Sequence, residues 1–508
     1  VFISQGLNRV LKGIGSTAFG QVVAAASSIL LVPLFLSAWG SDVYGRWISL
    51  NALCSYLLLL ELGGQNYFAN LLTEAYSTGN EGQFRDLLSK GVSLFLYLAL
   101  AGLILWVIVL FLPILHDPET RTALGPQERL ILFFLGFANL ITIPGGVYAT
   151  IYRASGKLAR GNYVGNSLRF VIFCSLALTL LLKQPPLIYA LVLWVDGWVL
   201  TWIVILDIHR QFPLSRRIRV SLAQAMKGAR SLRVSVYFWL INLAAMLNTQ
   251  GILLVMGANL PAGMVALYST QKTTAGLLGY ITNLFHAPLW PEFTSLNALG
   301  QKEPLQKITL VSIRLMIVLT GLGAIVLWFF VPWLYPIWTG QQLEYNPILQ
   351  FVFLLQGILL AGWYTAAWPL FATNQHRLPS FALISNAAVT ILLAWLLVRP
   401  YGVTGAALAS LAGDLVFGFF LFPFITSRIF DIPYSKLLIS LGKPVIVLVV
   451  FVTLIQVVRG SPGESYRVIL AFVLFIFGAL PVVWLSVGKE SFIWLKSQIH
   501  FPKSLAPG

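Results

Sequence analysis

VSLFLYLALAGLILWVIVLFL, residues Val92 to Leu112, decides the fold. It runs 21 residues without a charge. At about 1.5 Å per residue, a helix of that length crosses the roughly 30 Å of bilayer hydrocarbon. Lipid offers no partner to a backbone N–H or C=O, so such a run must satisfy its own polar groups as a helix. Working outward, comparable runs lie near 14–38, 45–69, 91–115, 129–152, 164–183, 187–208, 234–257, 263–287, 308–334, 347–372, 381–399, 404–426, 444–458 and 468–487. An all-α polytopic membrane protein with about fourteen transmembrane helices is expected. The run 444–458 is short unless Leu437 to Gly442 belongs to it.

The whole chain repeats that character. Its 508 residues are 58% apolar and only 10% charged, with a mean hydropathy of +0.83. A soluble domain carries about 25% charged residues. This balance excludes a soluble enzyme, a fibre and a disordered regulator. Two cysteines, Cys54 and Cys174, each inside an apolar run, exclude a disulfide scaffold. The first run is too long for a signal-peptide core and no small-residue cleavage site follows it, so it reads as a retained helix.

The net charge of +16 suggests a membrane surface rather than nucleic acid, because the basic residues sit in short loops. With the N-terminus inside, inner segments hold 23 Lys and Arg and outer segments hold 7. Arg169, Lys272 and Arg314 fall within spans. The bias puts both termini in the cytoplasm and brings anionic lipids to the inner loops.

The chain also matches itself at an offset of about 220 residues. Pro113 in VLFLPIL answers Pro332 in WFFVPWL, and Ala154 answers Ala372. Asp196-Gly197 answers Gly413-Asp414, and the loop EAYSTGNEGQFRDLLSKG answers TSLNALGQKEPLQK. A six-helix unit returns to its starting side, so two copies are parallel repeats. The expected organisation is a six-helix lobe at 1–208, a basic cytoplasmic linker at 209–233, a second six-helix lobe at 234–426, two additional helices at 427–487 and a cytoplasmic tail at 488–508. The linker is read either as a helix lying on the inner surface or as a solvated loop. The tail ESFIWLKSQIHF has a similar surface-helix look. Helix breakers suit a rocking motion: Pro33, Pro144 with Gly145 and Gly146, Pro288 with Pro291, Pro369 and Pro423. They are also ordinary in membrane helices.

LVPLFLSAWGSDVYGRW, with Pro33, Gly40, Tyr44-Gly45 and Trp47, resembles the first-hairpin signature of polysaccharide flippases. ELGG at Glu61 to Gly64 resembles the acidic-x-Gly motif of their second span. ILLVMGANLPAGMVALYSTQK resembles their seventh and eighth spans, where a tyrosine (Tyr268) precedes a basic residue (Lys272) by one turn. The similarity covers most of residues 10–430. That family belongs to the multidrug/oligosaccharidyl-lipid/polysaccharide exporter superfamily, with the multidrug-and-toxin-extrusion antiporters and the peptidoglycan-precursor flippase. The resemblance implies carriage of a lipid-linked oligosaccharide, usually on a polyprenyl diphosphate, from the inner to the outer leaflet of a bacterial inner membrane. Glycan-assembly proteins are then expected partners. The peptidoglycan-precursor flippase draws arginines from its first span, whereas here none lies between Lys12 and Arg46.

A charge at the bilayer centre costs about 2.5–3.5 kcal/mol on insertion scales, so buried charges are the candidates. Lys272 lies roughly 13 Å into its span, near the midplane, where an ammonium could meet a diphosphate. Equally, it could snorkel or pair with a carboxylate. Arg46 near the outer mouth meets either phosphate or headgroups, and Trp47 and Tyr268 join the substrate-binding set through the resemblance. Glu61, Asp196 and Asp414 are candidates for coupling export to a proton or sodium ion, because an apolar surrounding favours a neutralised carboxylate. The alternative for each is an interhelical hydrogen bond or an ion pair with Arg169 or Lys272. Asn242, Asn248 and Asn386 are candidate oxygen ligands near Asp414. Trp194, Trp198 and Trp202 share a face, for sugar stacking or for packing.

No G-x-x-x-x-G-K-[ST] loop, G-x-S-x-G elbow or metal-spaced histidines occur, so neither cofactor nor metal is expected. The longest outer loop, roughly His116 to Glu128, is small for a glycan polymerase or glycosyltransferase, the rival of another class. A multidrug or cation antiporter is the rival of the same fold. The major-facilitator loop G-x-x-x-D-R-x-G-R is missing after the second span.

Overall fold

The computed structural model describes residues 2–112, 124–232, 236–373, 375–459 and 465–488. Parts of the sequence reading lie outside them: the tail at 490–501, Arg233, and most of the outer loop after His116. Within them the chain is helical, and no strand occurs among the described residues. The helices are α1 (Phe2–Ser55), α2 (Gly64–Ser77), α3 (Glu81–Leu110), α4 (Pro126–Ala154), α5 (Leu158–Leu181), α6 (Pro186–Gln211), α7 (Leu222–Ser231), α8 (Val236–Met246) and α9 (Ile252–Asn259). They continue as α10 (Ala262–Ala298), α11 (Lys302–Trp338), α12 (Pro347–Ala372), α13 (Arg377–Gly413), α14 (Phe422–Phe430), α15 (Tyr434–Arg459) and α16 (Ser465–Val487).

Ten described stretches are long and apolar enough to span a bilayer, and two of these, of 43 and 54 residues, each hold a pair of spans. The first pair divides at Gly40, whose φ of 74° only glycine adopts without strain. Phe35 and Tyr44 would stand about 13 Å apart along a straight helix. Their rings instead stack at 4.7 Å, so the chain folds back at Gly40. The second pair divides at Gly402, with φ 58°. With α10 and α16 the spans reach the about fourteen expected, and α15 begins at Tyr434, so Leu437 to Gly442 belongs to it. The chain is a multi-pass membrane protein.

Local chemistry sets the helix ends. Asn80 Oδ1 accepts from Gln83 N at 3.0 Å and starts α3. Pro126 occupies the first turn of α4, while Glu128 Oε2 accepts from Gly125 N at 2.9 Å. Leu62 and Gly63, both left-handed, separate the turn Tyr56–Glu61 from α2. Pro33, Pro144 and Pro369 lie inside helices, whereas the two reversals fall at glycines.

Packing divides the chain into two compact units. Unit 1 comprises Val1–Thr273, Tyr335–Leu349 and Leu383–Ser410, and unit 2 comprises Thr274–Leu334, Gln350–Ala382 and Leu411–Gly508. These units are a different partition from the lobes 1–208 and 234–426 expected from the sequence. The core of unit 1 sets Phe68, Leu72, Leu88, Phe95, Leu140 and Val147 together from α2, α3 and α4. There α3 and α4 approach closely: Trp106 Nε1 donates to Leu132 O at 3.0 Å, and a methyl on Gly136 would run into the Trp106 indole. Unit 1 also contains the turns at Gly40, Leu260–Pro261, Gly340 and Gly402. Trp338 Nε1 donates to Ile29 O at 2.8 Å, Gln342 Nε2 to Leu36 O at 2.9 Å, and Gly263 N to Asp42 Oδ1 at 3.0 Å. Gly45 is required here, because a side chain would strike the Ala262 carbonyl.

In unit 2, α11, α15 and α16 meet at Arg314, which donates to Ser440 Oγ at 3.0 Å and Val487 O at 3.5 Å. This joins the two additional helices to α11 through a half-buried guanidinium.

Candidate functional site

Arg46 lies six residues past the fold-back at Gly40, in unit 1. Its Nε donates to Glu128 Oε1 at 2.6 Å and its terminal amine to Glu128 Oε2 at 3.2 Å, a two-pronged pair with about a third of the arginine exposed. Arg46 also lines a cavity of about 350 Å³ with Ser49, Gly257, Leu260, Pro261 and Ala262. The guanidinium thus borders the cavity while Glu128 holds its orientation. Trp47, the neighbouring candidate, is buried. Its ring meets Trp39 at 5.4 Å and Tyr189 at 5.1 Å, in a cluster that also holds Phe35 and Tyr44. Trp47 is therefore part of the packing that holds the hairpin closed on α6.

Tyr268 and Lys272 are one turn apart on α10, and the fold brings them together. Lys272 Nζ lies 5.5 Å from the centre of the Tyr268 ring, a cation over an aromatic face. Tyr268 is fully buried and Lys272 half-buried. None of the ion pairs formed among the described residues involves Lys272. Polar bonds fix the helix around it: Thr270 Oγ1 lies 2.7 Å from Tyr335 Oη, and Gln271 Nε2 donates to Asn346 O at 3.0 Å.

The three carboxylates occupy separate places. Glu61 closes the turn before Leu62 and accepts from Asn242 Nδ2 at 3.3 Å, while Trp239 Nε1 donates to Leu59 O at 3.1 Å. Asp196 on α6 accepts from Ser175 Oγ on α5 at 2.6 Å. Asp414, in unit 2, opens a π-helical segment, Asp414–Leu421, and accepts from Gln356 Nε2 on α12 at 2.7 Å. No ion pair among the described residues joins any of the three to Arg169 or Lys272. Arg169 is exposed, with Asn166 Oδ1 at 3.5 Å.

Asn242 serves Glu61 rather than Asp414, because the turn before Leu62 packs against α8. Asn386 Oδ1 accepts from Thr390 at 3.0 Å. Trp194 packs on Phe134 and Phe137, and Trp198 on Phe137, while Trp202 is exposed. The three-tryptophan face is thus mostly packing against α4. No group of three metal-ligating side chains occurs among the described residues.

The sequence reading did not single out Glu128, Ser175 and Gln356, the partners that orient Arg46, Asp196 and Asp414. It also passed over His286 as a buried group. His286 bonds Thr365 Oγ1 at 2.9 Å and stacks on Trp368 at 4.0 Å. A polar residue inside an apolar run was the available signal for Ser175, Gln356 and His286, whereas Glu128 lies in the polar stretch GPQER that opens α4.

No family model and no curated protein sequence matches the chain. Solved structures do match. The lipid II flippase MurJ in an inward closed conformation aligns with a TM-score of 0.69 at 12% identity, covering 97% of this chain and all of that one. The MATE multidrug transporter DinF-BH aligns at 0.59 and 14% identity, covering 84% of this chain and 95% of its own. An inward-facing MATE family transporter of the MOP superfamily aligns at 0.57 and 14%, covering 83% and 95%. The fold is the one shared by this flippase and these transporters.

Proposed function

We propose that the chain is a transporter that carries a lipid-linked oligosaccharide of the polyprenyl-diphosphate type from the inner to the outer leaflet of a bacterial inner membrane. The observation that carries this reading is coverage. The flippase fold accounts for 97% of the chain, whereas the MATE transporters account for 83% and 84%. The remainder is comparable in length to the stretch from Asp431 to the end. The lobes 1–208 and 234–426 alternate in access, with both termini cytoplasmic. The seam at Asp42, Gly45 and Gly263 is the contact that opens on the outer side.

In this reading Lys272, set against Tyr268, meets the diphosphate, and Arg46 receives it at the outer cavity. Tyr268 and Trp47 shape the two sites. Glu61, Asp196 and Asp414 couple the cycle to a proton or sodium gradient. No step makes or breaks a covalent bond, and glycan-assembly proteins supply and consume the cargo. The likeness to MATE transporters keeps a drug or cation antiporter as the rival outcome.

The test uses the purified chain in vesicles with a fluorescent polyprenyl-diphosphate oligosaccharide. The expected result is gradient-dependent transfer between leaflets, lost in Lys272→Ala although the variant inserts normally. Equal transfer by Lys272→Ala removes the role of Lys272. Efflux of cationic dyes without lipid transfer overturns the cargo, and shortened or lengthened glycan product would establish an enzyme.

A further inference from the structure

We propose that the segment from Arg216 to Arg230 is a docking platform for the anionic headgroup layer of the inner leaflet. Residues 209–233 contain seven Lys and Arg and no Asp or Glu. The fold pins this segment to α3 instead of leaving it as a loose tether. Arg219 N donates to Ser89 Oγ at 3.2 Å and Ser221 N to Ser93 Oγ at 3.2 Å. Ser221 Oγ then accepts from Gln224 N at 3.3 Å and starts α7. Gly228 sits against the Lys90 carbonyl, where a methyl would come within 2.9 Å of the oxygen.

The faces of α7 divide by chemistry. Ala225 and Gly228, three residues apart, are buried against α3. Leu222 and Met226, four apart, form an exposed apolar stripe at 58% and 56% exposure, with Val220 exposed just before them. About a quarter-turn further round, Lys227 and Arg230 form an exposed basic stripe, and Arg216, Arg217 and Arg219 are exposed beside the helix start. Helix α3 meets α7 beside Lys90, where its uncharged run is about to begin at Gly91. The platform therefore sits at the level where hydrocarbon gives way to phosphate. A helix held on its third face by protein presents its apolar stripe to acyl chains and its basic stripe to headgroups. Charge complementarity selects an anionic headgroup over a zwitterionic one.

Headgroup docking at α7 does not involve the cargo, so it stands or falls apart from transport. The purified full chain in detergent is titrated with phosphatidylglycerol or phosphatidylcholine, and retained lipid is counted by native mass spectrometry. We expect Lys227→Gln with Arg230→Gln to weaken phosphatidylglycerol retention roughly thirty-fold while phosphatidylcholine retention is unchanged. Equal retention by the native chain and the variant overturns the proposal. So does equal loss by competition with inorganic pyrophosphate, which would mark a site for free phosphate.

A second arm tests the apolar stripe. A spin label on Met226→Cys, in a chain carrying Cys54→Ala and Cys174→Ala, is expected to relax faster with oxygen than with a water-soluble nickel chelate in phosphatidylglycerol bilayers. The reverse order places the stripe in water and overturns the docking.

Discussion

Asp196 in unit 1 and Asp414 in unit 2 are both carboxylates inside apolar helices, yet their surroundings differ. Asp196 is half-buried on a regular α-helix and takes one short bond from a serine hydroxyl. Asp414 is 8% exposed and opens a π-helical segment, with a glutamine amide as donor. A π-helical turn offsets the backbone register and recurs at functional places in helices. The neighbouring glycines differ as well. A methyl on Gly197 would find ordinary contact, 3.4 Å from the Ala138 carbonyl, whereas one on Gly418 would lie 2.6 Å from the Trp363 ring. Packing encloses Asp414 more tightly than Asp196.

The largest expected effect separates the two directly. Asp414→Asn should reduce gradient-driven transfer to background, while Asp196→Asn slows it about threefold, the size of a modest hydrogen bond. Equal losses in a vesicle assay would erase the distinction. Next, Gly418→Leu forces a side chain into Trp363, which stacks on Phe422 at 4.9 Å. Overpacking of this kind costs about 1–3 kcal/mol, seen as a lower unfolding temperature in detergent. Gly197→Ala should leave that temperature nearly unchanged.

Effects of the same size or smaller follow from removing the donors. Gln356→Leu leaves Asp414 without its amide partner and should cost about 1–3 kcal/mol of stability. Ser175→Ala should cost about 1 kcal/mol, because Asp196 is partly open to other partners. Both are read by thermal unfolding of the full chain. If Ser175→Ala proves the more harmful, the helix pair α5 and α6 is the more tightly organised of the two.

Much of the fold was legible because a bilayer reduces the alternatives. An uncharged run such as Val92 to Leu112 has one stable form there, and basic loops orient it. The place of the first reversal was visible as the gap between the runs 14–38 and 45–69, although the left-handed φ of Gly40 was not. The site was less legible. Arg46 and Glu128 lie 82 residues apart on different spans, and no period links them. Likewise Gln356 shows in the sequence only as a polar residue in an apolar run, and its pairing with Asp414 depends on how α12 packs. Asn242 illustrates the same point in reverse: its amide was recognisable, but its partner Glu61 depends on tertiary packing.

The reversal at Gly40 also bears on how the chain is made. With a single residue between them, the first two spans leave no length of chain to wait outside while the second is synthesised. The expected route is entry into the bilayer together, as a hairpin. A bulky residue or an inserted epitope at that position would therefore be felt first during biogenesis, as protein that never reaches its topology, before any step of transport could be measured.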